Sequence, residues 1–106
     1  MKIKIPSTVR IGPFDFEVKQ DFCLEDTGRN AEIDFVHLEV HILETLAPAK
    51  KEESFLHEIL HGVMWTTGLT TRIESCTIKD EEELVQPLSM GLRQVIRDNP
   101  GLFEEE

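Results

Sequence analysis

The sequence predicts an α+β fold: a small antiparallel or mixed sheet of three to four short strands packed on two main helices, the first carrying a His-Glu-x-x-His motif. Three observations predict it. The first half of the chain holds short runs in which apolar and polar residues alternate, the period of half-buried strands. From Pro48 the apolar spacing changes to that of a helix, and a second helical pattern follows Asp80. The chain has 106 residues, 40% hydrophobic and 30% charged, which is enough for one core and too little for two, so residues 1–106 are read as a single domain.

In chain order, Lys2 to Ile5 and Phe14 to Lys19 alternate, with Gly12-Pro13 punctuating between them, and read as two strands joined by a turn. Asp26 to Asn30 is a turn-rich link. Ala31 to Phe35 and Leu38 to Leu43 follow as a hairpin or a bent strand, with Leu38, Val40 and Ile42 on one face and Glu39, His41 and Leu43 on the other. If that strand runs unbroken along a cleft, His37 and His41 share a face and can bind substrate or donate to a transition state.

Pro48 opens the first helix and Gly68 stops it. Phe55, Leu56, Ile59, Leu60, Val63 and Met64 form its apolar arc, which His57 and His61 border. Gly62, inside the helix, marks a close approach of another backbone or of a substrate. Leu69 to Lys79 reads as a connecting loop with a short extended piece at Cys76 to Ile78. Asp80 caps the second helix, with Glu83 completing a capping box. Val85, Leu88, Leu92, Val95 and Ile96 form its apolar face as far as Asp98, Asn99-Pro100-Gly101 ends it, and Glu104 to Glu106 read as a frayed tail.

The net charge of −10, from 21 acidic against 11 basic residues, disfavours a nucleic-acid partner and an anionic membrane surface. No apolar run is long enough to cross a bilayer and no signal-peptide core follows Met1, so a cytoplasmic protein with Cys23 and Cys76 as free thiols is expected.

The chemistry concentrates in Phe55 to Trp65. Residues four apart lie one turn apart on a helix, so His57 and His61 can present imidazole nitrogens to one zinc ion. Glu58, about 100° round, is within reach of water activated by that ion and is the expected general base. A third ligand is required, and the acidic start of the second helix offers Glu81, Glu82 and Glu83. On the helical wheel Glu82 lies at the edge of the apolar face, Glu81 in its middle and Glu83 away from it, which ranks Glu82 first and Glu81 second.

These motifs, S-F-L-H-E-I-L-H-G-V at Ser54 to Val63 and E-E-E-L-V-Q-P-L-S-M-G-L-R-Q-V-I-R-D-N-P at Glu81 to Pro100, resemble a minimal gluzincin metallopeptidase. The likeness is to small phage and prophage proteins of the ImmA/IrrE-type group and covers roughly residues 31 to 100. The resemblance implies a zinc-dependent endopeptidase acting on a protein or peptide, with Glu58 as base and His57, His61 and Glu82 as ligands. Val85, Gln86 and Ser89 match the spacing that follows the ligand glutamate in that group, and Gln86 takes the place of a residue orienting a metal-bound imidazole. Pro87, inside the helix, and the lack of any tyrosine depart from the pattern. The alternative of the same fold is a non-catalytic zinc-binding module that regulates or binds another protein.

Overall fold

The computed structural model describes residues 2–22 and 24–104, so Cys23 and the last two glutamates of the expected tail lie outside the described residues. A two-residue turn at Gly12-Pro13 determines the first pairing, because strands flanking such a turn lie side by side. Accordingly β2 (Thr8–Ile11) pairs antiparallel with β3 (Phe14–Asp21), and Gly12 adopts φ 59° in the turn. This corrects the expected pairing of Lys2 to Ile5 with β3. Instead β1 (Lys2–Ile3) pairs antiparallel with β6 (Phe103–Glu104) at the far end of the chain.

A short 3-10 turn at Glu25–Thr27 leads to β4 (Ala31–Asp34), which pairs antiparallel with β5 (Glu39–Leu43). The hairpin turn breaks the longer alternation seen in the sequence. Asp34 Oδ1 accepts from the N–H groups of Val36 and His37, and Leu38 takes φ 56°. Strand β5 then lies parallel to β3, giving a mixed four-stranded sheet in the order β2-β3-β5-β4.

Three helices follow, two of them long: α1 (Pro48–Thr66), the short α2 (Leu69–Glu74) and α3 (Glu81–Asp98). Proline at the first position starts α1, and Gly68, at φ 80°, turns the chain out of it as a left-handed residue can. The segment expected to be a loop re-forms a helix at once, anchored by the fully buried Leu69. Asp80 caps α3 by accepting from Glu83 N–H, and Glu83 reaches back to Lys79 N–H. Helix α3 continues through Pro87 without interruption.

One face of the sheet is buried. Val9, Ile11, Phe16, Val40 and Ile42 alternate onto it and meet Phe55, Ile59 and Val63 of α1, with Val95 of α3 and Leu102. Each fully buried Phe, Ile or Val of this set contributes about 1.5 to 3 kcal/mol of transfer free energy. Val85 and Ile96, expected on the apolar face of α3, are exposed. Gly62 is approached by sheet side chains and not by a backbone: a Cβ there would lie 2.9 Å from Ile11 Cδ1 and 3.3 Å from Ile33 Cδ1.

The two sheet edges differ. The outward backbone of β2 is closed by α3: Asn99 accepts from Arg10 N–H at 2.8 Å and donates to Arg10 O at 2.9 Å, while Gln94 accepts from Gly12 N–H at 2.6 Å. The opposite edge, β4, runs beside α1. Leu43 N–H donates to Asn30 O, which turns the backbone of Glu32 and Asp34 toward β5 and that of Ala31 and Ile33 outward.

Candidate metal centre

Helix α1 presents the motif at the β4 edge. The apolar residues Phe55, Ile59 and Val63 are drawn into the core, which leaves His57 and His61 at the solvent border and carries Glu58 between helix and strand. The side chain of His57 is 66% exposed and that of Glu58 only 10%.

The Nε2 atoms of His57 and His61 stand 3.1 Å apart, with one N–H donating to the other's lone pair. Two nitrogens at about 2.0 to 2.1 Å from one tetrahedral zinc are separated by roughly 3.3 Å. The separation of the two nitrogens is therefore close to that of two ligands of one zinc ion.

Glu58 Oε2 lies 4.0 Å from His57 Nε2. Burial pushes the Glu58 carboxyl above its ordinary pKa of 4.5. The charges of His57 and His61 and a hydrogen bond from the Ile33 N–H oppose that rise, and Glu32 adds to it. One of the two outward amides of the edge strand thus holds the carboxylate. Beside them opens a cleft of about 280 Å³ lined by Arg29, Asn30, Ala31, Glu53, Ser54, His57 and Glu58.

The expected third ligand stands elsewhere. Gly91 of α3 rests on Val63 and Thr67 near the end of α1, and Glu83 pairs with Arg72 of α2 at 3.1 Å. These contacts carry the start of α3 past the C-terminus of α1, away from His57 and His61. Glu81 and Glu82 are exposed there, as is Gln86 one turn on. Among the described residues no group of three or more His, Cys, Asp or Glu side chains is placed to hold a metal. The wheel ranked these glutamates by angle, but it cannot report how far along the helix the crossing falls.

His37 and His41 are not in the cleft either. Val40 and Ile42 enter the core, so the pleat sends His41 to the opposite sheet face, where it bonds Asp21 at 3.1 Å and Glu39 at 3.0 Å. His37 lies in the hairpin turn against Asp34 at 2.8 Å, where the carboxylate raises its pKa. The shared face required an unbroken strand, and the turn removes it. Cys76 carries an exposed free thiol.

Sequence reasoning missed Arg29, Asn30, Glu53 and Ser54 as cleft residues. Ser54 was legible, since it precedes Glu58 by one turn on the same helix face. Nothing in the sequence marks Arg29 and Asn30, which arrive from a loop.

Comparison with known proteins found no matching family model, no matching curated protein and no matching solved structure. Among the described residues no helix is long and apolar enough to cross a membrane.

Proposed function

We propose that the chain is a zinc-dependent peptidase in which His57 and His61 hold the ion and Glu58 is the general base. The 3.1 Å separation of the two Nε2 atoms beside a buried glutamate carries this reading. When bound, the ion supplies a Lewis acid for the scissile carbonyl and lowers the pKa of water.

The residues of the chain supply the rest. Glu58 is desolvated and therefore more basic than an ordinary glutamate, so proton uptake from water and its return to a leaving amine both come closer to neutral pH. Ile33 N–H aims the carboxylate. The outward carbonyls and amide of Ala31 and Ile33 can take an extended peptide as an added strand, since β4 is the edge that α3 does not close. A protein or peptide is the substrate class that such an edge suits. A cytoplasmic setting accords with the exposed thiol of Cys76.

One observation favours a second reading, a zinc-binding module without catalysis: no third ligand stands with the two histidines among the described residues. Metal analysis and proteolysis separate the two. Protein purified without added zinc should hold the metal, and His57→Ala should lose it; equal content in both would overturn the metal site. Cleavage of unfolded casein by wild type and not by Glu58→Gln supports the peptidase, while zinc retention with no cleavage by either supports the module.

A further inference from the structure

The cleft beside His57 and Glu58 is lined by hydrogen-bond donors that the fold leaves unspent. Arg29 and Asn30 reach it from the loop before β4, and Ser54 reaches it from α1, one turn ahead of Glu58. Ser54 is only 9% exposed, yet its hydroxyl makes no hydrogen bond among the described residues. Asn30 gives its backbone carbonyl to Leu43 N–H at 2.9 Å, while its side-chain amide has no partner among the described residues.

Arg29 differs from other arginines of the chain. Arg10, Arg72 and Arg97 each meet a carboxylate at 2.9 to 3.1 Å. Among the described residues Arg29 has only Glu32, at 3.9 Å, beyond hydrogen-bond reach. Its backbone is nonetheless pinned, since Arg29 N–H donates to Thr27 Oγ1 at 3.2 Å and the next residue is tied to β5. The two carboxylates at the cleft are already engaged: Glu53 is 73% exposed and pairs with Lys50 at 3.6 Å, and Glu58 accepts from Ile33 N–H. Arg29 is thus the cation left for a ligand. A planar guanidinium grips a carboxylate through two parallel N–H donors, and an amide and a hydroxyl beside it supply further donors to the same group.

We propose that Arg29, with Asn30 and Ser54, forms a carboxylate subsite in the cleft, taking either the C-terminal carboxylate of a peptide or an Asp or Glu side chain. Ser54 precedes His57 by three residues, about 4.5 Å along the helix, and an extended peptide advances about 3.3 Å per residue. The bound carboxylate therefore belongs within one or two residues of a peptide bond at the histidine pair. Its relation to a scissile bond rests on the peptidase reading, but the preference for a carboxylate stands on the cleft alone.

Calorimetric titration of the zinc-loaded protein compares acetyl-Ala-Ala-Ala with a free C-terminus, acetyl-Ala-Glu-Ala-amide and the neutral acetyl-Ala-Ala-Ala-amide. At least one of the two anionic peptides should bind at least about tenfold tighter than the neutral one, the lower end for a hydrogen bond to a charged group. Tighter binding of the first assigns the subsite to a C-terminus, and of the second to an acidic side chain. Arg29→Gln should abolish the preference without changing Tm, because the side chain makes no hydrogen bond in the fold, and Arg29→Lys should restore part of it. Ser54→Ala should reduce the preference several-fold. The preference should also persist in protein stripped of zinc by a chelator, since none of the three donors is a ligand of the ion.

Equal affinities for the three peptides, no binding at millimolar concentration, or a preference that survives in Arg29→Gln or vanishes with the zinc would each overturn the subsite. Casein cleavage that is lost in Glu58→Gln, without any preference for the anionic peptides, sinks the subsite alone. A preference lost in Arg29→Gln, with no cleavage by wild type, sinks the peptidase reading and leaves a carboxylate-binding cleft.

Discussion

Replacing Glu82 by alanine should leave zinc affinity within about twofold of wild type, whereas His61→Ala should lower it by at least about 100-fold, since even residues behind a ligand cost 10- to 100-fold. The difference follows from where α3 crosses α1. Contact falls at Gly91, whose missing Cβ would sit 2.5 Å from Val63 Cγ1. From Gly91 back to Glu82 the helix runs about 13 Å at 1.5 Å per residue, in the direction of α2, where Glu83 is tied to Arg72 at 3.1 Å. A carboxylate ligand must come within about 2.0 to 2.2 Å of zinc. To deliver Glu82, the start of α3 would have to leave α2 and move back along α1. That motion would break the Arg72 pair and pull Gln94 and Asn99 off the β2 edge. The assay is competition for zinc against a chromophoric chelator, with thermal unfolding run in parallel to exclude a folding defect. A tenfold or greater loss in folded Glu82→Ala, with Glu81→Ala unaffected, would refute the placement of α3 and restore Glu82 as ligand.

Three further outcomes are expected. Gly91→Ala should cost about 1 kcal/mol in urea unfolding, because overpacking of about 1 to 3 kcal/mol against the fully buried Val63 outweighs about 1 kcal/mol of gained helix propensity; a stabilised variant would contradict the close crossing. For His41, burial lowers the pKa, but the hydrogen bonds of Glu39 and Asp21 carry it above 6.5, so the stabilisation is full below about pH 6.5 and fades as pH rises through the higher folded value. His41→Gln should therefore lower Tm at about pH 5.5 more than at about pH 9, and equal losses would count against the pairing. Glu58 has the opposite consequence: its folded pKa is raised by burial, so the native state holds a proton longer than the unfolded chain and stability falls as pH climbs from about 4.5 through the folded value. Glu58→Gln should flatten that decline in metal-free protein, and an unaltered pH profile would show that the carboxylate is not desolvated.

What could be read from residues alone follows the range of the interactions. The extent of α1 and the cap of α3 were legible because Pro48, Gly68 and the Asp80–Glu83 pair act within a turn of themselves. The hairpin at Gly12-Pro13 was half legible. Its turn was visible, but Thr8–Ile11, with Val9 and Ile11 buried on one face, was the true partner strand, and Lys2–Ile3 is claimed by a chain end a hundred residues distant. The parallel contact of β3 with β5 has no local signal, since each strand shows the same alternation whichever direction its neighbour runs. The site divides the same way. His57, Glu58 and His61 are related by helix periodicity and come together as expected, whereas Glu82 depended on the crossing point of two helices.

Why the groove should lie at β4 and not elsewhere follows from how the chain spends its polar side chains. A sheet with two edges exposes two rows of backbone groups, and each row invites another strand. Here Gln94 near the end of α3 and Asn99, the residue that caps it, satisfy the β2 row, so that edge is closed to a peptide. On β4 one outward amide, that of Ile33, is given to Glu58, and Ala31 near it lines the cleft. Gly62 permits this closeness, because a Cβ there would press on Ile33 at 3.3 Å and on Ile11 at 2.9 Å and push strand and helix apart. The His-Glu-x-x-His helix and the β4 edge are thus packed as one arrangement. A substitution that wedges α1 from β4, such as Gly62→Val, should weaken peptide binding and shift the pH dependence of any cleavage together, while leaving the two histidines, which share one helix, still able to hold zinc.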